Sequence, residues 1–147
     1  MFPTFAKLVA GVLFAALAWW ISAEVAAMLE SGRAGTVFGA VNAGLSFFMG
    51  WRILGRHAGV DLMTAIGFGI TTAVAAAVVC IGAWAFHEMI GRSLDLFYDG
   101  PVEALEAMIE IALYDARLLG APQILAALFG GGAVIGLVAG LVGKVSR

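Results

Sequence analysis

The chain has one cysteine, three prolines and little charge, with only 12% of its 147 residues Asp, Glu, Lys or Arg. A lone Cys80 excludes an internal disulfide and any metal site built from several cysteines. Because proline is scarce and the 20 glycines sit inside apolar runs, a disordered Gly/Pro-rich tract is excluded. The shortage of charge excludes an ordinary soluble fold. Soluble domains are roughly half apolar and about one quarter charged, whereas this chain is 63% hydrophobic. A soluble fold of this size has too little interior to hide that surface.

Chemistry-bearing residues are also few. The central parts of the apolar segments carry no Asp, Glu, Lys, Arg or His, which argues against carrier transport by this chain alone. Serine, histidine and aspartate fall on opposite membrane faces, so no catalytic triad is expected, and no glycine loop has a phosphate-binding pattern. His57 follows Arg56 in a short loop. His87 precedes Glu88 at the end of the third apolar segment, with no third metal ligand nearby in sequence. No catalytic residue, cofactor or metal ligand is nominated, no nucleic-acid partner is expected, and the chain reads as non-enzymatic. Asn42, Ser46, Thr71 and Thr72 are the main polar groups at depth. Such groups bond between helices, bond back to a carbonyl, or meet a ligand.

What is present in abundance is long apolar sequence. Charge-free stretches cover 8–23, 34–51, 62–86 and 118–143, that is 16, 18, 25 and 26 residues. About 20 residues cross a bilayer core. The last two therefore span with margin, the second is near the limit, and the first needs Lys7 and Glu24 at headgroup level. The fold predicted is an all-α membrane domain of four transmembrane helices over about 6–28, 34–54, 62–88 and 120–143. The first segment resembles a signal peptide, but Ile21-Ser22-Ala23 is a poor cleavage site, so it is read as a helix of the mature protein.

Orientation follows the basic residues. With the N terminus cytoplasmic, Lys7, Arg52, Arg56, Lys144 and Arg147 lie inside and Arg33, Arg92 and Arg117 outside. Nearly all the acids then fall outside. Trp19, Trp20 and Trp84 near outer ends and Trp51 at an inner end suit interfacial anchoring. Both termini are expected in the cytoplasm; in a bacterium the outer side would be the periplasm.

Between the third and fourth spans, Asp99-Gly100-Pro101-Val102-Glu103 reads as a helix start, and a helix over 101–118 is expected. It is amphipathic. Val102, Leu105, Ile109, Ala112, Leu113 and Ala116 share one face, beside a stripe of Glu103, Glu106, Glu110, Tyr114 and Arg117. Its expected place is flat on the membrane surface or folded over the bundle. The carboxylates either attract cations or a basic partner, or form a solvated face. Anionic lipid would repel them, so protein is expected to hold the helix.

Small residues recur every fourth position. Gly132, Gly136 and Gly140 do so in the last span, and Ala65, Gly69, Ala73 and Ala77 in the third. Such stripes let helix backbones approach, within one chain or between two.

Pro3-Thr4 with Ala6-Lys7-Leu8-Val9, Gly50-Trp51-Arg52, and Tyr98-Asp99-Gly100-Pro101-Val102-Glu103-Ala104 together resemble the TrgA family. These are small inner-membrane proteins of Rhodobacter-like alphaproteobacteria, associated by name with tellurite resistance. The similarity extends over almost the whole chain and implies a bacterial inner-membrane location, but it brings no active-site residues. Detoxifying tellurite would call for thiols or a redox cofactor, and Cys80 is alone in an apolar span. The expected role is a non-enzymatic accessory subunit of a larger respiratory or photosynthetic membrane complex. The alternatives are a component of oxyanion resistance or transport, and a self-assembling homo-oligomer; all are in contact with the lipid bilayer.

Overall fold

The computed structural model describes residues 3–29, 36–96 and 98–145. Arg33 and Arg147, which enter the orientation count, lie outside them. All regular structure in the described residues is helical: α1 (Pro3–Met28), α2 (Thr36–Arg52), a 3-10 turn (Leu54–His57), α3 (Leu62–Leu94), α4 (Pro101–Leu119) and α5 (Pro122–Val145). Four segments are long and apolar enough to cross a bilayer: Thr4–Met28, Val37–His57, Leu62–Leu94 and Pro122–Val145. The protein is an all-α, multi-pass membrane protein with a fifth helix, α4, between its third and fourth spans.

The second span shows how a short apolar run reaches across. The 17 residues of α2 give only about 26 Å at 1.5 Å per residue, and the 3-10 turn supplies the rest. Its Leu54 is buried in one cluster with Ala10 and Phe14 of α1. Gly55 lies on the Lys7 stem, where a Cβ would come within 2.6 Å of Cγ. His57 closes this end, with Nδ1 2.8 Å from the Ile53 carbonyl oxygen and its ring stacked 3.7 Å from Phe68. Asp61 then caps α3 by accepting from the Thr64 N–H at 3.0 Å. The Thr64 hydrogen bonds hold its carboxyl below the usual carboxylate range.

The third span exceeds its predicted end. α3 has 33 residues, about 50 Å of helix against a hydrocarbon core of about 30 Å. The sequence estimate stopped at 88 because charge begins there. The helix itself continues, since Glu88 and Arg92 are one turn apart and pair at 2.6 Å on its surface.

The spans form a ring in the order α1, α2, α3, α5, with the closest packing between α1 and α2 and between α3 and α5. Lipid tails are as apolar as the helices, so association depends on close van der Waals fit. At the α1/α2 contact Gly50 abuts the Ala10 carbonyl, and a Cβ there would lie 2.7 Å from the oxygen. At the α3/α5 contact the two small-residue stripes meet. A Cβ on Gly69 would fall on the Gly132 carbonyl oxygen, and one on Gly136 on the Ala65 carbonyl oxygen. Cβ atoms on Gly132 and Gly140 would come 2.9 Å and 2.8 Å from those of Ala73 and Ala65. Gly69, Ala73, Gly132, Gly136 and Gly140 are all buried inside the chain. None of them is presented to lipid or to a second protein.

Candidate functional site

α4 begins as its sequence dictates. Pro101 occupies the first helical turn, Glu103 Oε2 accepts from the Asp99 N–H at 2.8 Å, and the Ala104 N–H reaches the Gly100 carbonyl at 3.2 Å. The second of these is the first bond of the helix proper, and the Glu103 side chain reaches back to the N–H just before the cap. The 99–104 segment is thus a device for starting α4. Tyr98 contributes differently: its hydroxyl oxygen is buried with no hydrogen-bond partner among the described residues. A buried hydroxyl left unpaired costs about 1–3 kcal/mol, so Tyr98→Phe should leave the thermal midpoint in detergent unchanged or raise it. A clear drop would mean that the hydroxyl has a partner in the native protein.

The helix divides into three sectors. Ala104, Met108, Ile111, Asp115 and Leu118 follow helical spacing, and of these Ile111 and Asp115 are buried. This sector faces the bundle, where α4 rests mainly on α3. The apolar face expected from sequence points elsewhere: Val102 is 69% exposed, Leu105 55%, Ile109 53% and Leu113 55%. Glu103, Glu106 and Glu110 line the third sector and are all exposed. α4 folds over the bundle, but by a second apolar arc rather than the more obvious one. The sequence reading chose the uninterrupted apolar arc and passed over the one broken by Asp115.

Beneath α4 the bundle holds a polar cluster drawn from three spans. The Asn42 side-chain amide donates to Ser22 Oγ at 2.9 Å and accepts at Oδ1 from the Trp84 indole N–H at 2.8 Å. Cys80 Sγ lies 3.9 Å from both Ser46 Oγ and the Asn42 carbonyl oxygen. Trp84 also packs on Phe38, with ring centroids 5.0 Å apart. The Trp84 N–H is therefore satisfied inside the protein rather than left for the membrane interface. Thr71 and Thr72 take the other course open to polar groups at depth. They donate back to the Gly67 and Phe68 carbonyl oxygens at 2.9 Å and 2.7 Å.

The cluster borders a half-open cavity of about 80 Å³. Phe14, Leu17, Ile21, Phe38 and Leu128 give it apolar walls; Ser22, Asn42, Ser46 and Cys80 line one part, and Asp115 closes in from α4. Asp115 is only 9% exposed. The sequence reading missed it, together with Ser22 and the inward role of Trp84. Asp115 was detectable as a lone acid on an otherwise apolar helical line; Ser22 and Trp84 give no sign of their partners until the spans are assembled.

No group of three His, Cys, Asp or Glu among the described residues could hold a metal ion. His87 lies edge-on to Trp84 at 5.6 Å, and its neighbour Glu88 is engaged by Arg92. Comparisons with family models, curated proteins and solved structures find no match for the chain.

Proposed function

We propose that the protein is a non-enzymatic accessory subunit of a larger membrane complex, respiratory or photosynthetic, that it lies in a bacterial inner membrane with both termini cytoplasmic, and that it belongs to the TrgA family. The observation that carries the subunit reading is α4. Its bundle-facing sector is already occupied, while Val102, Leu105 and Ile109 stand more than half exposed beside the row of Glu103, Glu106 and Glu110. An apolar ridge flanked by acids on a rigid helix suits a partner surface with an apolar groove and basic residues along one side. The lipid surface is the poorer counterpart, because anionic headgroups repel the same carboxylates. The orientation rests on the basic residues, and the family on the 98–104 segment.

Native membranes extracted in mild detergent, separated by size and analysed by mass spectrometry, give the test. The chain is expected to migrate with a large bioenergetic complex. The combined change Glu103→Lys, Glu106→Lys and Glu110→Lys should cut that co-migration by about tenfold or more, because like charges then oppose across the contact. Because Glu103 also accepts from the Asp99 N–H at the start of α4, circular dichroism is taken on the variant, and Glu106→Lys with Glu110→Lys is the version that leaves this bond in place. Migration alone or as a small homo-oligomer would reject the subunit reading and turn attention to oxyanion resistance. Undiminished co-migration of the charge-reversed protein would show that the stripe is only a solvated face.

A further inference from the structure

We infer that the pocket where the C-terminal end of α1 meets the first turn of α5 is a binding site for an organic ammonium group. It is lined by Trp20, Ile21 and Glu24 of α1 and by Gln123 and Ile124 of α5, and has a volume of about 220 Å³. Glu24 is the residue that asks for a ligand. Two acids lie within the membrane-spanning segments; Glu88 pairs with Arg92, whereas Glu24 has no hydrogen bond or ion pair to any described residue. An ionisable side chain in a spanning helix calls for a partner, and none of the described residues supplies it. Trp20 stands one helical turn before Glu24, so the two side chains rise from the same face of α1. Below them the floor is apolar, because Ile21 and Ile124 are buried in one cluster.

A carboxylate beside an indole, over two isoleucines, selects for positive charge clothed in hydrocarbon. An anion would face the carboxylate, and the start of α5 carries only about half a positive elementary charge to offset it. A metal ion would find one carboxylate and one amide oxygen, short of a coordination shell, and the described residues hold no group of three metal ligands. An organic ammonium group suits every wall. Its charge pairs with Glu24, Trp20 offers cation–π attraction, and its carbons cover Ile21 and Ile124. Size agrees, since about 220 Å³ exceeds the cavity of about 150 Å³ that holds benzene, and a trimethylammonium group is of similar bulk. α1 ends at Met28, four residues or about 6 Å beyond Glu24, so the pocket lies at headgroup depth. The ammonium group therefore comes either from a phospholipid headgroup or from a free amine in the adjoining water. This site uses α1 and α5 alone and stands independently of the α4 docking face proposed above.

The test titrates choline into the full chain in detergent and follows the heat of binding. Choline should bind saturably, and 3,3-dimethylbutan-1-ol, which has the same shape with carbon in place of the charged nitrogen, about tenfold or more weakly. Glu24→Gln should weaken choline binding by about tenfold or more and leave the alcohol unaffected, and Trp20→Leu should weaken choline binding by about threefold or more. Circular dichroism and thermal melting identify a variant that has not folded; if that is Glu24→Gln, Trp20→Leu takes its place. Native mass spectrometry with phosphatidylcholine and phosphatidylglycerol of matched acyl chains separates the two sources. Selective retention of phosphatidylcholine that Glu24→Gln abolishes would support the inference and assign the site to a lipid headgroup. Saturable choline binding without lipid selectivity would support it and assign the site to a free amine. Equal binding of choline and the uncharged alcohol would overturn the inference, because the carboxylate would then select nothing. Undiminished choline binding by folded Glu24→Gln would overturn it too, as would the absence of both choline binding and phosphatidylcholine retention.

Discussion

Gly136→Leu is expected to split the α3/α5 contact and lower the thermal midpoint in detergent by roughly 10 °C, corresponding to about 3 kcal/mol or more at about 2–4 °C per kcal/mol for a chain of this size. The obstacle is backbone. A Cβ at 136 falls on the Ala65 carbonyl oxygen, with the Gly69 Cα only 3.1 Å away. A flexible side chain can swing aside, but a helix backbone moves only as a whole. Separating the two helices also loses the contacts of Gly132 and Gly140 along the same seam. Gly44→Leu is the control, because Gly44 is exposed and a Cβ there meets nothing within 4 Å. That variant should melt with the parent. If Gly136→Leu melted there too, the close α3/α5 seam would be wrong.

The second large effect belongs to Asn42. Replacing it with Leu keeps the volume nearly constant and removes the amide that joins Ser22 to Trp84. Two polar groups from two other helices then lose their partner. Hydrogen bonds between membrane helices contribute about 0.6 kcal/mol on average and up to about 1.7; leaving buried groups unsatisfied adds to that loss. A fall of about 2–3 kcal/mol in unfolding free energy is expected, read from unfolding of the protein in detergent. A cycle with Trp84→Phe sharpens the test, since residues sharing a bond give non-additive losses. Strict additivity of Asn42→Leu and Trp84→Phe would show that the 2.8 Å bond contributes nothing.

Both predictions concern residues that were visible in the sequence, but to different degrees. The repeat of small residues at 132, 136 and 140 follows the helical period, so its role in packing could be read one residue at a time. The fit of Gly50 against Ala10 has no such period, and it emerges only once α1 and α2 cross. Asn42 was recognisable as a polar group at depth. Its choice of Ser22 and Trp84, 20 and 42 residues away, was not, because nothing local relates those positions. α4 is intermediate. Its start was legible in Gly100, Pro101 and Glu103, whereas its inward face was not, since Ile111 and Leu105 lie on different arcs that are both apolar enough to pack.

By itself, then, the sequence determined the solvent: four apolar runs leave no fold but membrane-spanning helices, because backbone groups in hydrocarbon must bond within their own segment. It also determined where the fifth helix begins, since capping chemistry is local. Tertiary structure alone decided which helices adjoin, which arc of α4 turns inward, and that Ser22, Asn42, Ser46, Cys80, Trp84 and Asp115 surround one cavity. The reason is that such choices depend on shape complementarity between surfaces distant in sequence, and in lipid nearly every apolar face is equally acceptable to its surroundings.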